Sequence, residues 1–124
     1  MAPDSTPDSA TPDPATLATG YERDGFSVAG ERVVEAATLA AAQEAMVEVR
    51  DGRFDTGVPP SGHPGYDPTR LCKINDAHLA SHALHALVCD PAVAAMAATV
   101  TGARRVQAWA TQLLIKPPDS AAAG

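Results

Sequence analysis

The sequence predicts an α+β chain that is helical over most of its length and ends on a strand. Three observations carry that prediction. Residues 34–49 are rich in Ala, Leu, Met, Glu and Gln, with Leu39, Ala42, Met46 and Val49 recurring at helical spacing. Asp90-Pro91 opens a second helix, because Asp caps well and Pro suits the first helical position. Val106-Gln107-Ala108-Trp109-Ala110-Thr111-Gln112-Leu113-Leu114-Ile115 is largely apolar, and it stops at Lys116-Pro117-Pro118.

The elements follow in chain order. Residues 1–19 carry Pro3, Pro7, Pro12 and Pro14 among Asp, Ser, Thr and Ala without Lys or Arg, the composition of a disordered acidic leader. The leader lacks the basic start and apolar run of a signal peptide. Residues 20–124 leave room for one small domain at most and are expected to form the N-terminal portion of a larger one. Leu17–Asp24 reads as a short helix capped by Thr16 and ended by Gly25, and Phe26-Ser27-Val28-Ala29 as a short strand. After the helix ending at Asp51-Gly52, a stretch with Gly57, Pro59, Pro60, Gly62, Pro64, Gly65 and Pro68 predicts a long loop, functional or disordered. Thr69-Arg70-Leu71-Cys72-Lys73-Ile74 is a candidate strand carrying two cations. Helices are expected over Asp76–Val88 and from Ala92 to about Val100. The last strand is expected over Arg104–Ile115, with open edges that imply an incomplete sheet.

Composition excludes several functions. The net charge is −6, of which Asp4, Asp8 and Asp13 supply three, so no broad basic face exists for nucleic acid. No stretch shows the roughly eighteen uninterrupted apolar residues of a membrane span. A cytoplasmic chain without membrane association is expected. Cys72 and Cys89, seventeen residues apart, match no zinc spacing and read as reduced thiols. Neither has an evident basic partner in the sequence, and there is no Gly-x-Ser-x-Gly elbow or phosphate-binding glycine loop.

Two constellations remain. On one continuous helix, His78, His82 and His85 would share a face at i, i+4 and i+7, a candidate zinc or iron site, with surface histidines as the plainer reading. His63 reads as a solvated loop residue, and Arg104-Arg105 as a surface pair. At the other site, strand alternation puts Gln112, Leu114 and Lys116 on one face and Thr111, Leu113 and Ile115 on the other. A lysine ending an otherwise uncharged strand is costly to bury unless an anion meets it. Lys116 is therefore a candidate anion contact, with Gln112 facing the same cavity as a hydrogen-bonding partner and Trp109 of opposite parity as a packing residue.

Tyr21-Glu22-Arg23-Asp24-Gly25-Phe26-Ser27-Val28, Arg53-Phe54-Asp55-Thr56-Gly57-Val58-Pro59-Pro60 and the Lys116-Pro117-Pro118 strand together resemble the N-terminal part of the phytanoyl-CoA dioxygenase family. The resemblance runs over about residues 16–120. It implies a double-stranded β-helix, a jelly-roll or cupin-like barrel with flanking helices, of which this chain would hold the helices and first strands. It also implies iron(II) and 2-oxoglutarate as cofactors, a small-molecule substrate, and hydroxylation of an unactivated carbon. In that family the Lys-Pro-Pro strand is followed by a His-x-Asp carrying two iron ligands, with a third histidine further on. Residues to Gly124 precede that motif, so this chain alone is expected to be inactive and to bind neither cofactor tightly. The lysine of the motif can contact 2-oxoglutarate in the family, which makes Lys116 and Gln112 the candidate co-substrate residues. The alternatives from other classes are a non-catalytic helical partner-binding protein and the His78/His82/His85 metal-binding helix.

Overall fold

The computed structural model describes residues 13–118. In order they form α1 (Pro14–Asp24), α2 (Ala36–Arg50), β1 (Cys72–Asn75), a 3-10 turn (Ala77–Leu79), α3 (His82–Val88), α4 (Pro91–Thr101) and β2 (Gln112–Ile115). Backbone contacts divide the described residues into two compact units. One takes the described residues up to Val33 with Ala92–Val106, and the other takes Val34–Pro91 with the described residues from Gln107 onward.

In the first unit α1 begins at Pro14, so part of the expected leader is helical. Pro14 sits at the first helical position, where its missing N–H costs nothing. Gly25 ends the helix at φ 80°, donating its N–H to the Tyr21 carbonyl as the spacing anticipated. Phe26–Ala29 is not a strand. No described strand pairs with it, Phe26 and Val28 stay exposed, and Ser27 Oγ donates to the Leu17 carbonyl instead. Helix α4 has no buried residue. Its Val93, Met96 and Val100, with Tyr21, Phe26 and Val33, line an apolar groove of about 550 Å3.

His82–Thr101 is long and apolar enough, by length and composition, to cross a membrane, with a mean hydropathy of 1.6. The stretch is not an uninterrupted apolar run, because His82, His85 and Asp90 break it. Its backbone is two helices, α3 and α4, parted at Cys89-Asp90.

The second unit holds the core. Val49 of α2 and Ile74 of β1 are fully buried, joined by Ala42, Cys72, Ala77, Ala80, Leu84 and Leu113. Strands β1 and β2 pair antiparallel with Cys72 opposite Ile115, Lys73 opposite Leu114, Ile74 opposite Leu113 and Asn75 opposite Gln112. That register buries Cys72, Ile74 and Leu113 on one face and exposes Lys73, Asn75, Gln112 and Leu114 on the other.

Two expected elements are shorter than the pattern suggested. The helix expected over Asp76–Val88 is broken: Asp76 takes a left-handed conformation at φ 54°, and Ser81 is extended, its hydroxyl accepting from the Leu84 N–H at 3.3 Å. A buried serine that caps one helix cannot sit inside a longer one. The strand expected over Arg104–Ile115 forms only at Gln112–Ile115, where β1 supplies partners. Trp109 precedes that pairing and is 92% exposed, so it is not a packing residue.

The long loop is anchored rather than loose. Asp55 accepts from the His82 N–H at 3.0 Å, Thr56 Oγ1 donates to the Leu79 carbonyl at 2.7 Å, and Gly62 bridges Asn75. His63 is half-buried against Phe54, not solvated. Its Nε2 lies 2.7 Å from the Val49 carbonyl, and its Nδ1 accepts from the Gly65 N–H at 3.0 Å. Those two contacts fix the neutral tautomer with the proton on Nε2. Removing both in His63→Ala is expected to cost about 1–2 kcal/mol, read as a lower urea midpoint with an unchanged slope. An unchanged midpoint would mean that the loop is held without it.

Candidate functional site

The exposed face of the β1–β2 sheet carries the strand residues that the sequence singled out. Gln112, Leu114 and Lys116 are exposed while Leu113 is buried and Ile115 half-buried, so the alternation continues one residue past β2. The antiparallel register adds Lys73 and Asn75 to the same face. Lys116 lies diagonal to Lys73, a cross-strand relation that spans about 7–8 Å between backbones. Neither lysine has an ion-pair partner among the described residues. Two cations on one sheet face without a counter-charge there would draw an anion to that face.

Lys73 is the residue that sequence reasoning left out. Its cation was visible within Thr69–Ile74, but its alignment with Lys116 depends on a register between strands 37 residues apart, Asn75 against Gln112. Beside the lysines, Gln112 Nε2 donates to Asn75 Oδ1 at 3.2 Å. That bond fixes the amide and leaves the Gln112 Oε1 and one N–H for a ligand. Gln112 and Lys116 share a face but not a cavity. Gln112 contributes to a groove of about 400 Å3 with Met46, His78, Leu84, Leu87 and Thr111, and Lys116 lies outside it.

Asp76 holds this face in register. Its N–H donates to the Thr111 carbonyl at 2.8 Å, its Oδ1 accepts from the Thr111 N–H at 3.3 Å, and its Oδ2 accepts from Ser61 Oγ at 2.6 Å. The Ser61 hydroxyl, then the Thr111 amide, hold its carboxyl below the usual carboxylate range, and the nearby His78 adds to this.

The histidine reading does not survive the geometry. His78 lies in the 3-10 turn with Nδ1 2.7 Å from Thr111 Oγ1, while His82 Nδ1 lies 3.3 Å from Asp55 Oδ1. Only His78 and His85 meet, stacked with centroids 6.2 Å apart and planes at 19°. Among the described residues no group of three His, Cys, Asp or Glu side chains could hold a metal ion. His85 has a different neighbour: its Nε2 is 3.5 Å from Cys89 Sγ, a basic partner that the sequence reading had not found. Spacing of four residues on a helix was the available signal. Cys72 is buried in the core, and burial pushes its thiol up.

The Asp76 bonds give a pH dependence of known sign. Its pKa is lower in the folded chain than in the unfolded one, so its stabilisation is present above the unfolded value of about 4 and disappears as pH falls through the folded value. Asp76→Asn is expected to make the acid limb of a stability–pH curve shallower without removing it, because Glu48, Asp51 and Asp67 are lowered by their own partners. Urea unfolding from about pH 2 to 7 checks this. An acid limb of unchanged steepness would contradict the assignment.

Comparison with family models, curated proteins and solved structures found no match.

Proposed function

We propose that this chain is the N-terminal portion of an iron(II)- and 2-oxoglutarate-dependent oxygenase of the phytanoyl-CoA dioxygenase type. In this reading the exposed face of β1 and β2 holds the 2-oxoglutarate. The observation that carries the reading is the placement of Lys73 and Lys116 on one uncovered sheet face, beside the Gln112 amide that Asn75 fixes. Two cations suit a dicarboxylate, and a fixed amide supplies directional hydrogen bonds where ammonium groups act as point charges.

A two-stranded sheet is marginal alone, and a double-stranded β-helix would add further strands beside these two. Such strands would bring the lysine face inside a barrel. Enclosure excludes water and strengthens each ammonium–carboxylate contact severalfold relative to the open face. The iron ligands of this reading are not among the described residues, and the chemistry that iron supplies is the activation of oxygen. Lys73, Lys116 and Gln112 bind and orient the co-substrate and move no proton.

The coding sequence downstream of Gly124 is the first test. A His-x-Asp within about twenty codons supports the reading, since it supplies one histidine and the carboxylate of the facial triad. Unrelated sequence there contradicts it. In protein that includes the motif, Lys73→Gln and Lys116→Gln should each raise the KM for 2-oxoglutarate by on the order of tenfold with a smaller effect on kcat, read as succinate release. Unchanged KM values would remove these lysines from the site.

A further inference from the structure

We propose that Cys89 is a nucleophilic thiol with His85 as its base, and a site at which peroxides oxidise this protein. The inference is independent of the oxygenase reading, because neither residue lies on the Lys73/Lys116 face.

The two cysteines occupy opposite environments. Cys72 is enclosed by the core and inert for that reason, whereas Cys89 is a free thiol exposed at the end of α3. Cys89 is also fixed relative to its base. Its backbone N–H donates to the His85 carbonyl at 2.9 Å, and its Sγ lies 3.5 Å from the His85 Nε2. The His85 ring stacks on His78, which is itself tied through Nδ1 to Thr111 Oγ1 at 2.7 Å. A thiol, an imidazole within hydrogen-bond reach and a third group that orients the imidazole form the arrangement that activates nucleophiles.

The step balances with hydrogen peroxide as the oxidant. His85 Nε2 takes the thiol proton as Sγ attacks one peroxide oxygen. The O–O bond breaks, and the departing hydroxide takes the proton from the imidazolium and leaves as water. Sulfur is oxidised by two electrons to the sulfenic acid, one peroxide is reduced, and His85 returns to its neutral form. With the Cys72 side chain buried, the sulfenic acid is open to an external low-molecular-weight thiol, which would convert it to a mixed disulfide and release water.

The test uses the whole chain at neutral pH with limiting hydrogen peroxide, trapping sulfenic acid with dimedone and locating the adduct by peptide mass spectrometry. The adduct is expected on Cys89 and not on Cys72. His85→Gln should slow its formation on the order of tenfold, a modest value for general-base assistance at an exposed site. His82→Gln, three residues away on the same helix, should leave the rate unchanged. The dependence of the rate on pH should differ in shape between the unaltered chain and His85→Gln, a signature that a merely structural role would not move. Circular dichroism establishes that each variant keeps its helices. A wild-type rate in a folded His85→Gln, or an adduct on Cys72 alone, would overturn the proposal.

Discussion

The carboxylate and backbone of Asp76 tie together three parts of the second unit. They meet Thr111 at the start of β2 through two hydrogen bonds and Ser61 of the long loop through a third. Asp76 adopts a left-handed backbone at φ 54°, a conformation that Asp tolerates better than most residues because its short side chain bonds locally. With this joint closed, β2 can meet β1 only in the register that sets Ile74 opposite Leu113 in the core. A slip of one residue would drive either Lys73 inward and Ile74 outward or Gln112 inward and Leu113 outward, exchanging a filled core position for an unpaired polar or charged group. The candidate anion face thus depends on a hydrogen-bonded corner more than on either lysine.

The joint also links the two proposed sites of this unit. Thr111 bonds Asp76 through its backbone and His78 through its hydroxyl, and His78 stacks on the imidazole that faces Cys89. The outer edge of β2 has no strand partner among the described residues, and the groove beside it is lined by Met46, Leu84 and Leu87. Ordinary sheet physics favours a further strand along such an edge.

Much of the fold was legible because local signals agreed with tertiary demands. Leu39, Ala42, Met46 and Val49 repeat at helical spacing, and α2 formed within two residues of the expected bounds. Gly25 and Gly52 marked helix ends, and both take positive φ. Alternation placed Gln112, Leu114 and Lys116 together on the exposed face. The failures arose where a nonlocal partner decides the outcome. Phe26–Ala29 and residues 104–111 have the composition of strands but no described neighbour to pair with. Ser81 looked like an interior helix residue until its hydroxyl was seen to cap α3, and that break separated His78 from the helix carrying His82 and His85. Of the candidate site, Lys116 and Gln112 could be read from one strand, whereas Lys73 needed the register.

Titration of the 15N-labelled chain with 2-oxoglutarate, followed by two-dimensional NMR, tests the central claim most directly. The account predicts amide shifts confined to Lys73, Asn75 and the segment from Gln112 to Lys116, larger than with an equal concentration of acetate and lost in the Lys73→Gln, Lys116→Gln double variant. Shifts that are absent, that acetate reproduces in full, or that centre on Arg104 and Arg105 would contradict it.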